Sequence, residues 1–129
     1  MSVDVTKTSG GSAEITWEKA DDPHGWIARS VESDELAYAL EALGDEAGQH
    51  DPTHSESAAR AAAFHTNRLA GLLERRAAVQ VVRLRDDYGL SWRTIAESIH
   101  EDPAKQSSIR RQYETGRRIL GLPTAQQES

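Results

Sequence analysis

Nine residues follow one another at steps of three or four without a break: Ala59, Ala63, Thr66, Ala70, Leu73, Ala77, Val81, Leu84 and Tyr88. That spacing places all nine on one face of an α-helix, and it admits no strand over the same stretch. Leu69, Leu72, Val79 and Val82 widen the apolar surface. A helix spanning residues 54–88 would be roughly 50 Å long at 1.5 Å per residue, so a bend near Gly71 or Glu74 is the alternative to one straight rod. Thr53 followed three positions later by Glu56 matches a capping box at its start. The alanine-rich first turns also suit a close-packed seam between two copies of the chain.

Gly89 stands directly after Tyr88, where a left-handed residue stops a helix. Ser91 then offers an N-cap, and Trp92, Ile95, Ala96 and Ile99 repeat on one face of a second, short helix. A third helix begins with Asp102 as cap and Pro103 in its first turn. At 100° per residue, Ile109, Tyr113, Gly116 and Leu120 share its inner side. Ser107, Arg111, Glu114 and Arg118 point the opposite way. Arg110 and Arg117 flank them on one side, Ser108 and Thr115 on the other. Leu122-Pro123 ends this region, and residues 123–129 read as a tail. A capped apolar helix, a turn and an arginine-rich helix in succession predict a helix-turn-helix.

The first third has another character. Residues 1–12 read as a flexible tail, and 13–52 as a small acidic element with its linker, ahead of a domain over 53–122. Ile15-Thr16-Trp17 and Trp26 to Val31, separated by Asp21-Asp22-Pro23-His24-Gly25, suggest two strands of a β-hairpin. Ser33, with Asp34 and Glu35 behind it, begins a short helix carrying Leu36, Leu40 and Leu43 and closing at Gly44. The predicted fold is therefore mainly α: a helix-turn-helix domain with a long preceding helix and a small N-terminal element of hairpin and short helix.

Net charge becomes informative once divided along the chain. The total is −6, but residues 1–56 hold three basic side chains against thirteen acidic ones, a balance of −10, and residues 57–129 hold twelve against eight, a balance of +4. The basic end can meet phosphates and the acidic end repels them. The acidic third is either a solubilising arm or a module for a partner such as RNA polymerase, an effector or a second copy. Trp17 and Trp26 favour the module, because aromatics supply large contact area at binding surfaces, though covering the long helix is an equal alternative for them.

The run from Arg75 to Arg118 resembles the helix-turn-helix of region 4 of bacterial sigma factors and of small regulators built on it. Gly89-Leu90-Ser91-Trp92-Arg93-Thr94-Ile95-Ala96 carries the resemblance to the first motif helix, and Ser107 to Arg118 matches the reading helix. In that family the first buried aliphatic of the reading helix falls ten positions after the residue equivalent to Ala96. Ile109 here falls thirteen after it, which adds about three residues to the turn, and His100 stands where the turn glycine would be. Nothing in the chain resembles the polymerase-binding parts of a full sigma factor.

The resemblance implies a sequence-specific regulator of transcription that binds double-stranded DNA as a homodimer. Ser107, Ser108 and Arg111, with Arg110 and Glu114 beside them, are then expected to face bases, Thr115 to lie at the edge of that surface, and Ser91, Arg93, Lys105, Arg117 and Arg118 to hold phosphates. Trp92 is expected in the core rather than stacked on a base. Two other readings share these features: an accessory protein of plasmid or phage partition, excision or transfer, and an adaptor that uses the same shape to contact protein.

Enzymatic chemistry is not expected, since no glycine-rich phosphate loop and no serine–histidine elbow occurs. Cysteine is absent, which excludes disulfides and thiolate sites. His50 and His54, with Asp51 between them, are too few for a metal site, so no cofactor is expected. Asp45, Glu46 and Asp51 read as a solvated linker, and His65 as ordinary packing. With no membrane-length apolar run and no basic-then-apolar leader pattern, a cytoplasmic, nucleoid-associated location is the expectation.

Overall fold

The computed structural model describes residues 3–44 and 55–124. It is mainly helical, with a small two-stranded antiparallel sheet near the N-terminus. The chain divides into two compact units, Met1–Thr66 and Asn67–Ser129.

In the first unit, β1 (Asp4–Ser9) and β2 (Ser12–Thr16) pair around Gly10-Gly11, with Val5 opposite Ile15 and Thr6 opposite Glu14. The hairpin therefore exists, but it lies upstream of the expected place. It takes in residues read as a flexible tail, and the segment expected to be its second strand is helix α1 (Trp26–Glu32). Two local forces explain the shift. A two-residue Gly-Gly loop closes strands rich in β-branched residues. Further on, the Asp22 carboxylate accepts hydrogen bonds from the backbone N–H groups of Ile27 (2.9 Å) and Ala28 (3.0 Å), which starts a helix where a strand was predicted. Desolvation acts to raise the Asp22 pKa, but the N–H groups of Ala28, Ile27 and Trp26 outweigh it and hold this carboxyl below the usual carboxylate range.

Helix α2 (Glu35–Gly44) follows, with the Ser33 hydroxyl accepting from the Glu35 N–H at 3.3 Å. Its buried residue is Ala39, whereas Leu40 and Leu43 of the expected leucine row are exposed. Tyr38 explains the choice of side: its ring stacks on His65 with centroids 4.9 Å apart. The packing expected of His65 is present, and its Nδ1 is buried with no hydrogen-bond partner among the described residues.

Helix α3 (Glu56–Asp86) runs through Gly71 and Glu74 without interruption. Ser55 caps it, its hydroxyl accepting from the Ala58 N–H at 3.1 Å. The capping role expected of Thr53 falls outside the described residues, as do His50, His54, Asp45, Glu46 and Asp51.

The second unit holds the core. The last turns of α3 pack with α4 (Trp92–His100) and α5 (Gln106–Ile119) around Val81, Ile95, Ala96 and Ile109, all buried, with Leu84, Leu90, Trp92 and Tyr113 closing the sides. The long apolar face of α3 is buried only here, where two other helices reach it: Ala78, Val81 and Val82 are buried, but Leu73 and Tyr88 are exposed. Ile99 and Leu120 also depart from their expected inward positions and are exposed. Each sits in or just past the last turn of its helix, where little of the core remains to cover it.

The terminators explain these ends. Gly89 takes a left-handed φ of 64°, and Gly121, at 71°, closes α5 with a Schellman pair of bonds, from Gly121 N–H to Arg118 O and from Leu122 N–H to Arg117 O. After α4 the left-handed position falls on Glu101 (φ 55°), one residue beyond the His100 expected there. A side chain in that region is strained by about 1–2 kcal/mol, and part of that is recovered when glycine takes its place. Glu101→Gly is therefore expected to stabilise the protein by about 1 kcal/mol, seen as a higher denaturant midpoint at unchanged slope.

Candidate nucleic-acid interface

Two caps and one close contact set the geometry of α4 and α5. The Ser91 hydroxyl accepts from the Thr94 N–H at 3.1 Å and starts α4. Asp102 accepts from the Ala104 N–H at 2.9 Å and starts a single 3-10 turn, Pro103–Lys105, that leads straight into α5. At the far end of α5, Gly116 lies directly on α3. A Cβ added there would come within 2.6 Å of Val82 Cγ2 and 2.8 Å of the Ala78 carbonyl carbon. Glycine is required, and it brings the two backbones into contact.

With Ile109 and Gly116 buried, the opposite side of α5 is turned outward. Ser107, Arg110, Arg111, Thr115 and Arg118 are exposed; Ser108 and Glu114 are half-buried. Arg110, Arg111, Glu114, Thr115 and Arg118 line one shallow open depression. Thr115 donates its hydroxyl proton to the Arg111 carbonyl at 3.0 Å, which keeps that hydroxyl on the helix. Lys105 is exposed at the turn. Arg93 is exposed on α4 and pairs with Glu97 at 3.3 Å, a surface pair worth only a few tenths of a kcal/mol that leaves the guanidinium accessible.

One expected site residue lies elsewhere. Arg117, read as a phosphate contact, is only 18% exposed in its side chain and is engaged within the protein. It donates to Asp86 of α3 at 2.9 Å, to the Tyr113 hydroxyl at 3.1 Å and to the Pro123 carbonyl at 2.6 Å. Tyr113 donates to the same carboxylate at 2.7 Å. Burial, and then the bond to Asp86, push the Tyr113 phenol above its usual pKa. This Asp86–Tyr113–Arg117 group joins residues 27 and 31 positions apart. No local spacing in the sequence announces it. Arg117 is a fastener between α5 and α3.

Trp92, expected in the core, is half-buried against its side, and it also carries charge on its ring. The Arg85 guanidinium lies 4.3 Å from the indole centroid and that of Arg110 lies 5.6 Å away, while Tyr113 meets it edge-on at 5.0 Å. Arg85 is further held by donating to the Leu90 carbonyl at 2.9 Å.

Among the described residues, no group of three or more histidine, cysteine, aspartate or glutamate side chains is placed to hold a metal ion, and no helix is long and apolar enough to cross a membrane. No protein family, no curated protein and no solved structure matches the chain.

Proposed function

We propose that α4, the turn through Pro103–Lys105 and α5 act as a helix-turn-helix, and that the protein is a sequence-specific regulator of transcription binding double-stranded DNA. One observation carries this reading. α5 turns an arginine face outward (Arg110, Arg111 and Arg118) while its other side is locked to the core by Ile109 and Gly116. A rigid helix with exposed guanidinium groups has the shape and charge for a major groove about 12 Å wide. The resemblance of Gly89 to Ala96 to the sigma region 4 motif adds to it.

In this reading Arg111, with Ser107, Ser108 and Glu114, faces base edges. Arg118, Lys105, Arg93 and the capped start of α4 at Ser91 lie on phosphates. The protein works by occupancy, as a homodimer on paired half-sites. RNA polymerase, or another protein, is the partner proposed for the acidic N-terminal unit.

The test is binding of the full chain to random-sequence duplexes, followed by recovery of those retained. Affinity is expected to fall steeply between about 50 and 200 mM salt. Arg111→Ala should erase preference among duplexes, a loss of about 1–3 kcal/mol of discrimination, while Arg118→Ala should weaken all duplexes alike and reduce the salt slope by about 0.9. A chain that ignores duplex DNA at low salt is no DNA-binding regulator; if it then captures a protein through α5, the adaptor reading replaces this one.

A further inference from the structure

Among the described residues, Arg110 is the one outward arginine of α5 whose guanidinium lies over an aromatic ring of another helix. That ring belongs to Trp92, the first residue of α4, and Arg110 sits 5.6 Å from its centroid. A guanidinium within about 6 Å of an indole is attracted to the ring's negative face, weakly where solvent has access. The indole has little freedom of its own. Arg85 lies 4.3 Å from its centroid and is anchored on the Leu90 carbonyl, Tyr113 meets it edge-on, and the ring packs against the Val81–Ile95–Ile109 core. A long, exposed side chain is thus drawn toward a ring that cannot follow it.

We infer that Trp92 is a positioning residue: its indole holds the Arg110 guanidinium beside the capped start of α4, where it meets a DNA phosphate rather than a base. This rests on the DNA-binding reading above and assigns Arg110 to the phosphate set, next to Ser91 and Arg93. The physical reason is entropy. An arginine free in solution loses rotamer freedom when it engages a phosphate, and one already stacked has lost much of it.

The experiment measures binding of the full chain to a pool of random-sequence duplexes about three helical turns long, and to one duplex recovered from it, across a salt series. Trp92→Leu removes the π face and keeps an apolar side chain; Trp92→Phe keeps a weaker π face. Trp92→Leu is expected to bind both probes about 2–5-fold more weakly, with no change in preference between them. Trp92→Phe should recover part of that loss. Adding Arg110→Ala to Trp92→Leu should cost less than Arg110→Ala costs alone, whereas adding Arg118→Ala should cost as much as it does alone. A merely structural role for Trp92 would not single out Arg110 in this way.

A second measurement needs neither a variant nor DNA. In the wild-type chain the Arg110 side-chain protons should show an upfield ring-current shift in the NMR spectrum. Wild-type binding with an additive Trp92→Leu/Arg110→Ala pair, or Arg110 protons at random-coil shifts, overturns the positioning role alone. Absence of binding by the wild type overturns the reading of the whole interface instead.

Discussion

Gly116→Ala is expected to disrupt the second unit, at a loss of about 3 kcal/mol or more, the upper range for overpacking. The added methyl would meet the backbone of Ala78 and the Val82 side chain at distances no relaxed contact shows, and backbone inside a helix cannot move aside cheaply. Either α5 lifts off α3 or the packing around Val81 and Ile109 opens. Chemical denaturation followed by circular dichroism should show a much lower midpoint or no folded baseline. Gly71→Ala is the matched control. It lies inside α3, where an added methyl would have nothing within 4 Å, so the same change should stabilise by about 0.5–1 kcal/mol through helix propensity. If Gly116→Ala were tolerated like Gly71→Ala, α5 would not be seated on α3 as described.

Ile109→Ala is expected to destabilise by about 2–5 kcal/mol, the range for truncating a fully buried aliphatic side chain. The upper half is the better expectation, because the central cluster is small. Val81, Ile95 and Ala96 are its other members, and helices on three sides restrict collapse into the space. Unfolding curves for this variant and for Arg111→Ala should separate the two sides of α5. The first should lose stability and, where it still folds, keep an unchanged arginine face. The second should keep stability within about 0.5 kcal/mol, as surface substitutions do. A destabilised Arg111→Ala would mean that Arg111 has a role within the protein, as Arg117 has.

That contrast between Arg111 and Arg117 shows how far the sequence could be read. Helical periodicity put Ile109, Tyr113 and Gly116 on one side of α5 and Arg111 and Arg118 on the other, because a helix repeats its faces at a constant angle whatever surrounds it. It could not separate Arg117 from its neighbours. Asp86 and the Pro123 carbonyl, to which Arg117 donates, are supplied by other parts of the chain and meet it only after folding. Near the N-terminus, Gly10-Gly11 between runs of β-branched residues was a legible turn. It was outweighed by the stronger turn residues at Asp21 to Gly25, which in the structure carry Asp22 as a helix cap.

Determined by the sequence alone were the helical character, the stop at Gly89, the caps at Ser91 and Asp102, and the helical spacing that sets Ile109 and Gly116 opposite Arg111 and Arg118. All of these arise from interactions between residues a few positions apart. Only the tertiary structure decided which part of the α3 face is buried, why position 116 must be glycine, where Arg117 spends its charge and which ring Arg110 lies over. These depend on groups distant in sequence being brought together by burial of the core, and no local pattern encodes that meeting.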